Sequence, residues 1–84
     1  MGEQEFTLIC KKLIQDYYFE LNESPDINDI YVVWNCKILQ NNKAMLSTDI
    51  PDGRYFEITY NGDKNEWYLD SYVKEKNKLI ILER

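Results

Sequence analysis

The chain contains no histidine. Histidine is the commonest general base and metal ligand in proteins, so Ser-His and Cys-His nucleophile pairs are excluded. The two cysteines, Cys10 and Cys36, cannot form a structural zinc site without it. Fifteen carboxylates are present, but no two of them stand out by spacing as a catalytic acid and base. We therefore predict a non-enzymatic protein with no catalytic residues, no metal site and no cofactor.

Glycine motifs and long apolar runs are also absent. The three glycines are scattered and form no phosphate-binding pattern. The longest aliphatic run, residues 79–82, is far shorter than the roughly 20 residues that cross a bilayer. Residues 1–5 lack the basic stretch of a secretory signal, and Phe6 stands where a myristoylation motif needs Ser or Thr. We expect a cytoplasmic protein without membrane association.

The two cysteines are too few for a disulfide framework. Small disulfide-dependent domains usually carry more bridges and less core. Cys10 and Cys36 both fall on apolar faces of predicted elements, and we expect both to be reduced and buried.

Basic residues are outnumbered, with 10 Lys and Arg against 15 Asp and Glu, and the net charge is -5. Phosphates attract basic surfaces, so we expect no direct nucleic-acid binding and favour a basic protein partner. The segment between Lys12 and Lys37 holds no Lys or Arg. It forms a candidate acidic patch, although a solvated helix end and loop would give the same pattern. The patch consists of Asp16, Glu20, Glu23, Asp26 and Asp29.

The 84 residues give room for a single domain, residues 1–84, with a modest core. A hydrophobic content of 44% is too high for a disordered chain. Residues 3–22 predict an amphipathic helix, because their apolar side chains recur at steps of three and four. That stripe consists of Phe6, Ile9, Cys10, Leu13, Ile14, Tyr17 and Leu21.

Four segments after the helix predict β-strands. They cover residues 30–38, 43–49, 54–60 and 66–73, with the turn signals Pro51-Asp52-Gly53 and Asn61-Gly62 between the later ones. Residues 79–82 are predicted to form either a fifth strand or a tail that packs on the core. We predict an α+β fold in which one N-terminal helix packs on a four-stranded, or five-stranded, antiparallel β-meander.

Strict alternation assigns each strand residue to a face of this sheet. Ile30, Val32, Trp34, Cys36 and Ile38 are expected to face the helix, so Trp34→Ala should largely unfold the domain. The opposite face carries tyrosines around polar centres, which suits either a protein interface or ordinary cross-strand pairing in water. Its predicted members are Tyr31, Val33, Asn35, Tyr55, Glu57, Thr59, Tyr68, Asp70 and Tyr72.

Residues 31–48 and 51–72 resemble a family encoded by phages and prophages of low-GC Gram-positive bacteria, a domain of unknown function. The resemblance covers about half of the chain and brings no catalytic residues. It implies a phage accessory protein of the bacterial cytoplasm that binds a host or phage protein. Two alternatives stay open. One is an anti-CRISPR-like inhibitor whose acidic surface mimics nucleic acid, and the other is a homo-oligomeric structural or assembly component, such as a homodimer.

Overall fold

The computed structural model describes residues 1–83. Within them, one helix precedes a single antiparallel sheet whose four strands are ordered as they occur along the chain. The predicted α+β meander is therefore confirmed, and residues 74–83 have no regular structure. The elements are α1 (Glu3–Phe19), a short 3-10 turn (Ile27–Asp29), β1 (Ile30–Ile38), β2 (Asn41–Thr48), β3 (Arg54–Asn61) and β4 (Glu66–Val73).

Helix α1 is shorter than the predicted range of 3–22. Asn22 has a φ of 61°, the left-handed conformation that commonly follows a helix, and the Glu23 amide donates to the Tyr18 carbonyl at 2.9 Å. The helix buries one face through residues spaced four apart, which is the pattern that a helix needs to pack on a sheet. Those residues are Phe6, Cys10, Ile14 and Tyr18.

The core lies between α1 and the middle of the sheet. Phe56 of β3 meets the rings of Tyr17 and Tyr18 edge to face, at centroid distances of 5.1 and 5.6 Å. Phe6 stacks on Trp67 of β4 at 5.6 Å near the other end of the helix. These aromatic contacts fix the helix along the sheet at two points. The remaining buried hydrophobic residues are Cys10, Ile14, Ile30, Ala44, Leu46 and Ile58.

Strand β1 contains a bulge that breaks the expected alternation. Val32 pairs with Leu46 of β2, whereas Trp34 pairs with Met45, so Val33 is an extra residue without a partner. One inserted residue moves every later side chain of a strand to the opposite face. The prediction for β1 therefore holds for Ile30 and Val32 and is wrong from Trp34 onward.

The side chains after the bulge confirm this reversal. Trp34 is 41% exposed, and Cys36 and Ile38 are exposed as well, on the face away from α1. Asn35 faces the helix instead, and its amide lies 3.3 Å from a Glu3 carboxylate oxygen. The Lys37 ammonium donates to the carbonyl of residue 1 at 2.9 Å. The polar residues Asn35 and Lys37 thus occupy the helix side where Trp34, Cys36 and Ile38 were expected.

The loops at one end of the sheet are in close contact. A side chain added at Gly62 would place its Cβ 2.2 Å from the Gln40 carbonyl oxygen, so only glycine fits there. The Gly62 amide also donates to the Asn41 side chain at 3.2 Å. Gly62 is therefore needed for close packing between the β1–β2 and β3–β4 loops. In the β3–β4 loop the left-handed conformation belongs to Asn65, with a φ of 52°.

A polar network joins the helix to the β2–β3 turn. The Tyr18 hydroxyl donates to an Asp52 carboxylate oxygen at 2.7 Å, and that carboxylate pairs with Arg54 at 3.2 Å. The Arg54 guanidinium also donates to the Tyr17 hydroxyl. Gly53, with a φ of 69°, supplies the left-handed residue of this turn. The network satisfies both tyrosine hydroxyls at the edge of the core.

The bulge reverses the mutational expectation for Trp34. Trp34→Ala should change the free energy of unfolding by less than about 1 kcal/mol, because the ring lies on an exposed face of an edge strand. Phe56→Ala removes the centre of the core and should cost about 3 to 5 kcal/mol. Urea denaturation of both variants measures the difference. Equal destabilisation would contradict the bulge.

The buried Cys10 and Tyr18 should make the fold sensitive to alkali. Burial raises the pKa of the Cys10 thiol to about 12, and burial followed by the Asp52 hydrogen bond raises the pKa of Tyr18 to about 12. Both pKa values exceed their ordinary values of 9.0 and 10.0, so the fold favours the neutral forms. This contribution is complete below pH 9 and is lost as the pH rises toward 12, by about 1.4 kcal/mol per pH unit for each group.

Urea denaturation at a series of pH values tests this expectation. Cys10→Ala should remove the loss of unfolding free energy that begins at pH 9. Tyr18→Phe should remove the loss that begins at pH 10. A pH profile that both variants leave unchanged would show that these groups do not cause it.

Candidate protein-binding site

The candidate site is the sheet face opposite α1, called here the outer face. The helix packs on the other face, and Tyr31, Tyr68 and Tyr72 remain 46%, 50% and 50% exposed. Strand register places three rows of residues across this face. The rows are Tyr31–Ser47–Tyr55–Tyr72, Trp34–Met45–Glu57–Asp70 and Cys36–Lys43–Thr59–Tyr68.

Most predicted residues of this face lie where alternation placed them. The predicted residues of β3 and β4 and Tyr31 of β1 all belong to the three rows. Asn35 does not, because the bulge turns it toward the helix. Val33 is the bulged residue itself and is 47% exposed.

The first row is an aromatic surface supported by a buried serine. Ser47 is only 5% exposed although it lies on the outer face, between Tyr31 and Tyr55 in the register. Its hydroxyl donates to the Arg54 carbonyl at 2.8 Å. A small, fully bonded residue at this position allows the neighbouring phenol rings to present a continuous surface. Tyrosine gives such a surface a large contact area at a low cost in conformational entropy.

The centre of the outer face is acidic. Glu57 lies directly opposite Asp70 in the antiparallel register, an arrangement of like charges that costs free energy. Lys43 offsets one charge, with its ammonium 3.3 Å from a Glu57 carboxylate oxygen. Between residues 1 and 83, no ion pair involves Asp70. A cationic group placed between the two carboxylates would be favourable here.

The third row borders a shallow cavity of about 330 Å³ at the loop end of the sheet. Cys36, Lys43 and Thr59 contribute to its lining. Tyr68 lies at the β4 end of the same row and donates to a Glu66 carboxylate oxygen at 2.7 Å. This hydrogen bond raises the pKa of the Tyr68 phenol and keeps it protonated.

Sequence reasoning missed Trp34 and Cys36 as members of this face. The available signal was the unbroken apolar run from Ile30 to Trp34, within which alternation does not determine the face of each residue. Lys43 and Met45 were not proposed either, although they lie in β2 between the tyrosine-bearing strands. The outer face is therefore more apolar at its β1 edge than predicted.

The predicted acidic patch is divided in the structure. Asp16 and Glu20 are exposed on and just after α1, and neither lines the adjacent cleft. A cleft of about 560 Å³ brings the other three carboxylates together with that of Asp49, which sequence reasoning did not include. The Asp49 amide donates to the Asp29 carbonyl at 3.2 Å, which brings the end of β2 beside the 3-10 turn. The cleft is lined by Glu23, Ser24, Pro25, Asp26, Asp29, Asp49, Ile50 and Pro51.

Two further observations concern residues 1–83. No group of three or more His, Cys, Asp or Glu side chains in this range is arranged to hold a metal ion. The helix found in it is too short and too polar to cross a membrane.

Comparison with known proteins assigns a family. The chain belongs to a family of unknown function, DUF6275, whose model matches residues 7–82. This agrees with the resemblance to a domain of unknown function. No curated protein and no solved structure matches the chain.

The two thiols should differ in reactivity, which tests the face assignment directly. Cys36 is exposed, contrary to the expectation of two buried thiols, and Cys10 is fully buried with a raised pKa. A thiolate is the reactive form, so a disulfide reagent at pH 8 should titrate one thiol in the native protein and two in denaturant. Cys36→Ser should abolish the fast reaction. Two unreactive thiols in the native protein would contradict the placement of Cys36.

Proposed function

We propose that this chain is a phage or prophage accessory protein that acts without catalysis, by binding a host or phage protein in the bacterial cytoplasm. The phage setting rests on the family resemblance described above. The mode of action rests on the outer face, and the single observation that carries it is the exposed aromatic surface around the Glu57–Asp70 pair.

The chemistry of the outer face specifies the kind of partner. Exposed aromatic side chains on a rigid sheet are typical of protein interfaces, where Tyr and Trp contribute much of the binding free energy. The two opposed carboxylates favour a guanidinium or ammonium group from the partner. We therefore expect a partner surface with an Arg or Lys at its centre and apolar side chains around it.

The acidic cleft supports a second candidate function. Four acidic residues line one cleft at the end of the sheet, and their carboxylates could occupy a site that normally holds phosphates. This would suit an inhibitor of a nucleic-acid-binding defence protein, such as a CRISPR effector. The net charge of -5 is modest for a nucleic-acid mimic, so we place this candidate second.

Matched charge reversals distinguish the two candidates. Glu57→Lys with Asp70→Lys alters the outer face, and Asp26→Lys with Asp29→Lys alters the cleft. Glu5→Lys with Asp63→Lys changes the net charge equally at exposed positions away from both. Capture from host lysate with the wild type, followed by mass spectrometry, identifies the partner whose affinity is then measured for every variant.

The outer-face variant should bind at least about tenfold more weakly, while the cleft and control variants should bind like the wild type. Melting curves must show that all three variants fold. Loss of binding confined to the cleft variant, with a steep dependence on salt, would instead support the second candidate. Unchanged affinity in all three variants would refute both.

A further inference from the structure

Residues 79–82 form an apolar segment that the structure leaves in water. Leu79, Ile80, Ile81 and Leu82 are 83%, 67%, 80% and 79% exposed, and residues 74–83 have no regular structure. β-branched and aliphatic residues of this kind favour strands, and burying each gives a considerable gain in free energy. A run with apolar side chains at every position suits a strand covered on both faces.

Strand β4 offers an edge that could accept such a segment. Its pairing with β3 is regular along its whole length, and it contains no proline, lysine or bulge. Prolines, lysines and bulges are the features with which edge strands usually prevent pairing with another chain. Strand β1, the other edge, has the bulge at Val33 and carries Lys37.

The side chains of β4 also match the segment on both faces. Trp67 and Leu69 lie on the helix side of the sheet, where they pack partly against the core. Tyr68 and Tyr72 lie on the outer face and are each half exposed. A neighbouring strand with aliphatic residues at alternate positions on both sides would cover both pairs. On β1, by contrast, Asn35 and Lys37 occupy the helix side after the bulge.

The chain continues along the β3–β4 ladder for one residue beyond β4 before the segment begins. The Lys74 amide donates to the Gly53 carbonyl at 2.8 Å, which continues the β3–β4 ladder past Val73. The Lys74 ammonium lies 5.8 Å from the centre of the Tyr55 ring. A strand of eight residues spans about 27 Å. The longest dimension of the molecule is 47 Å, well beyond the length of one strand, and the segment itself is exposed along its whole length.

Charge favours contact between residues 74–83 and a second copy of the chain. Residues 1–73 hold six Lys and Arg against thirteen Asp and Glu, a net charge of -7. Residues 74–83 hold three lysines against two glutamates, a net charge of +1. Strand β4 itself carries Glu66 and Asp70. The attraction between the lysines that precede the segment and an acidic body partly offsets the repulsion between two copies.

We propose that residues 79–82 of one copy add as a fifth strand to the free edge of β4 in a second copy, and that the exchange is reciprocal. The resulting dimer is isologous, because each copy supplies one edge and one segment. It leaves the outer face of β1, β2 and β3 open and does not depend on the function proposed above.

Light scattering coupled to size exclusion, over a range of protein concentrations, tests this proposal. The full chain should form a dimer. Ile80→Lys with Ile81→Lys should raise the dissociation constant about 100-fold or more, because two buried aliphatic side chains are replaced by charges. Phe19→Lys with Leu39→Lys is the matched control, since both residues are exposed apolar positions outside the segment and β4. The control should remain dimeric.

Hydrogen exchange identifies which edge is paired. Amides of β4 that face away from β3 should be protected in the dimer and lose that protection on dilution and in the Ile80→Lys, Ile81→Lys variant. A chain that is monomeric at every concentration would overturn the proposal, as would a dimer that survives the segment variant. Protection of β4 that persists in the monomer would also overturn it, because the segment would then pair with its own sheet.

Discussion

The contact of Phe56 with Tyr17 and Tyr18 joins the helix to the centre of the sheet, and the rest of the structure is arranged around it. A helix is about 10 Å wide, whereas four strands spaced about 4.8 Å apart form a wider sheet. A single helix of 17 residues can therefore cover one face only. The aromatic contact determines which face is covered, and the opposite face, with its tyrosines and Trp34, is left in contact with water.

Much of this fold follows from side-chain periodicity. Phe6, Cys10 and Ile14 of α1 and the inward side chains Phe56 and Ile58 lie where spacing alone predicts them, because α1 and β3 are regular. Tyr18 is buried although the predicted stripe did not include it, and Leu21 is 48% exposed because α1 ends at Phe19. The prediction of faces for strand β1 is wrong after Val32, because alternation carries no information about an inserted residue. The groups that stabilise the reversed register, Glu3 and the carbonyl of residue 1, belong to a distant part of the chain. A local pattern cannot include such contacts.

The two candidate sites were predictable to different extents, because one depends on local register and the other on contacts between distant parts of the chain. Tyr55, Glu57 and Asp70 belong to strands in strict register, so their shared face could be deduced without coordinates. Trp34 lies on the same face only because the bulge reverses β1. The acidic cleft depends on a tertiary contact, since Asp49 meets the loop carboxylates through its backbone bond to Asp29. Charge counts along the chain show an excess of acid but do not indicate which acids converge.

The close approach of Gly62 to Gln40 has a consequence for recognition. Two loops that pack without a side chain between them, and share the hydrogen bond to Asn41, restrict separate movement of the β1–β2 and β3–β4 hairpins. The relative position of the two hairpins that form the outer face is then set by the fold itself. In the mode of binding proposed above, such a preorganised surface loses little further conformational entropy. One glycine without a side chain on the outer face thus helps to position the strands that form it.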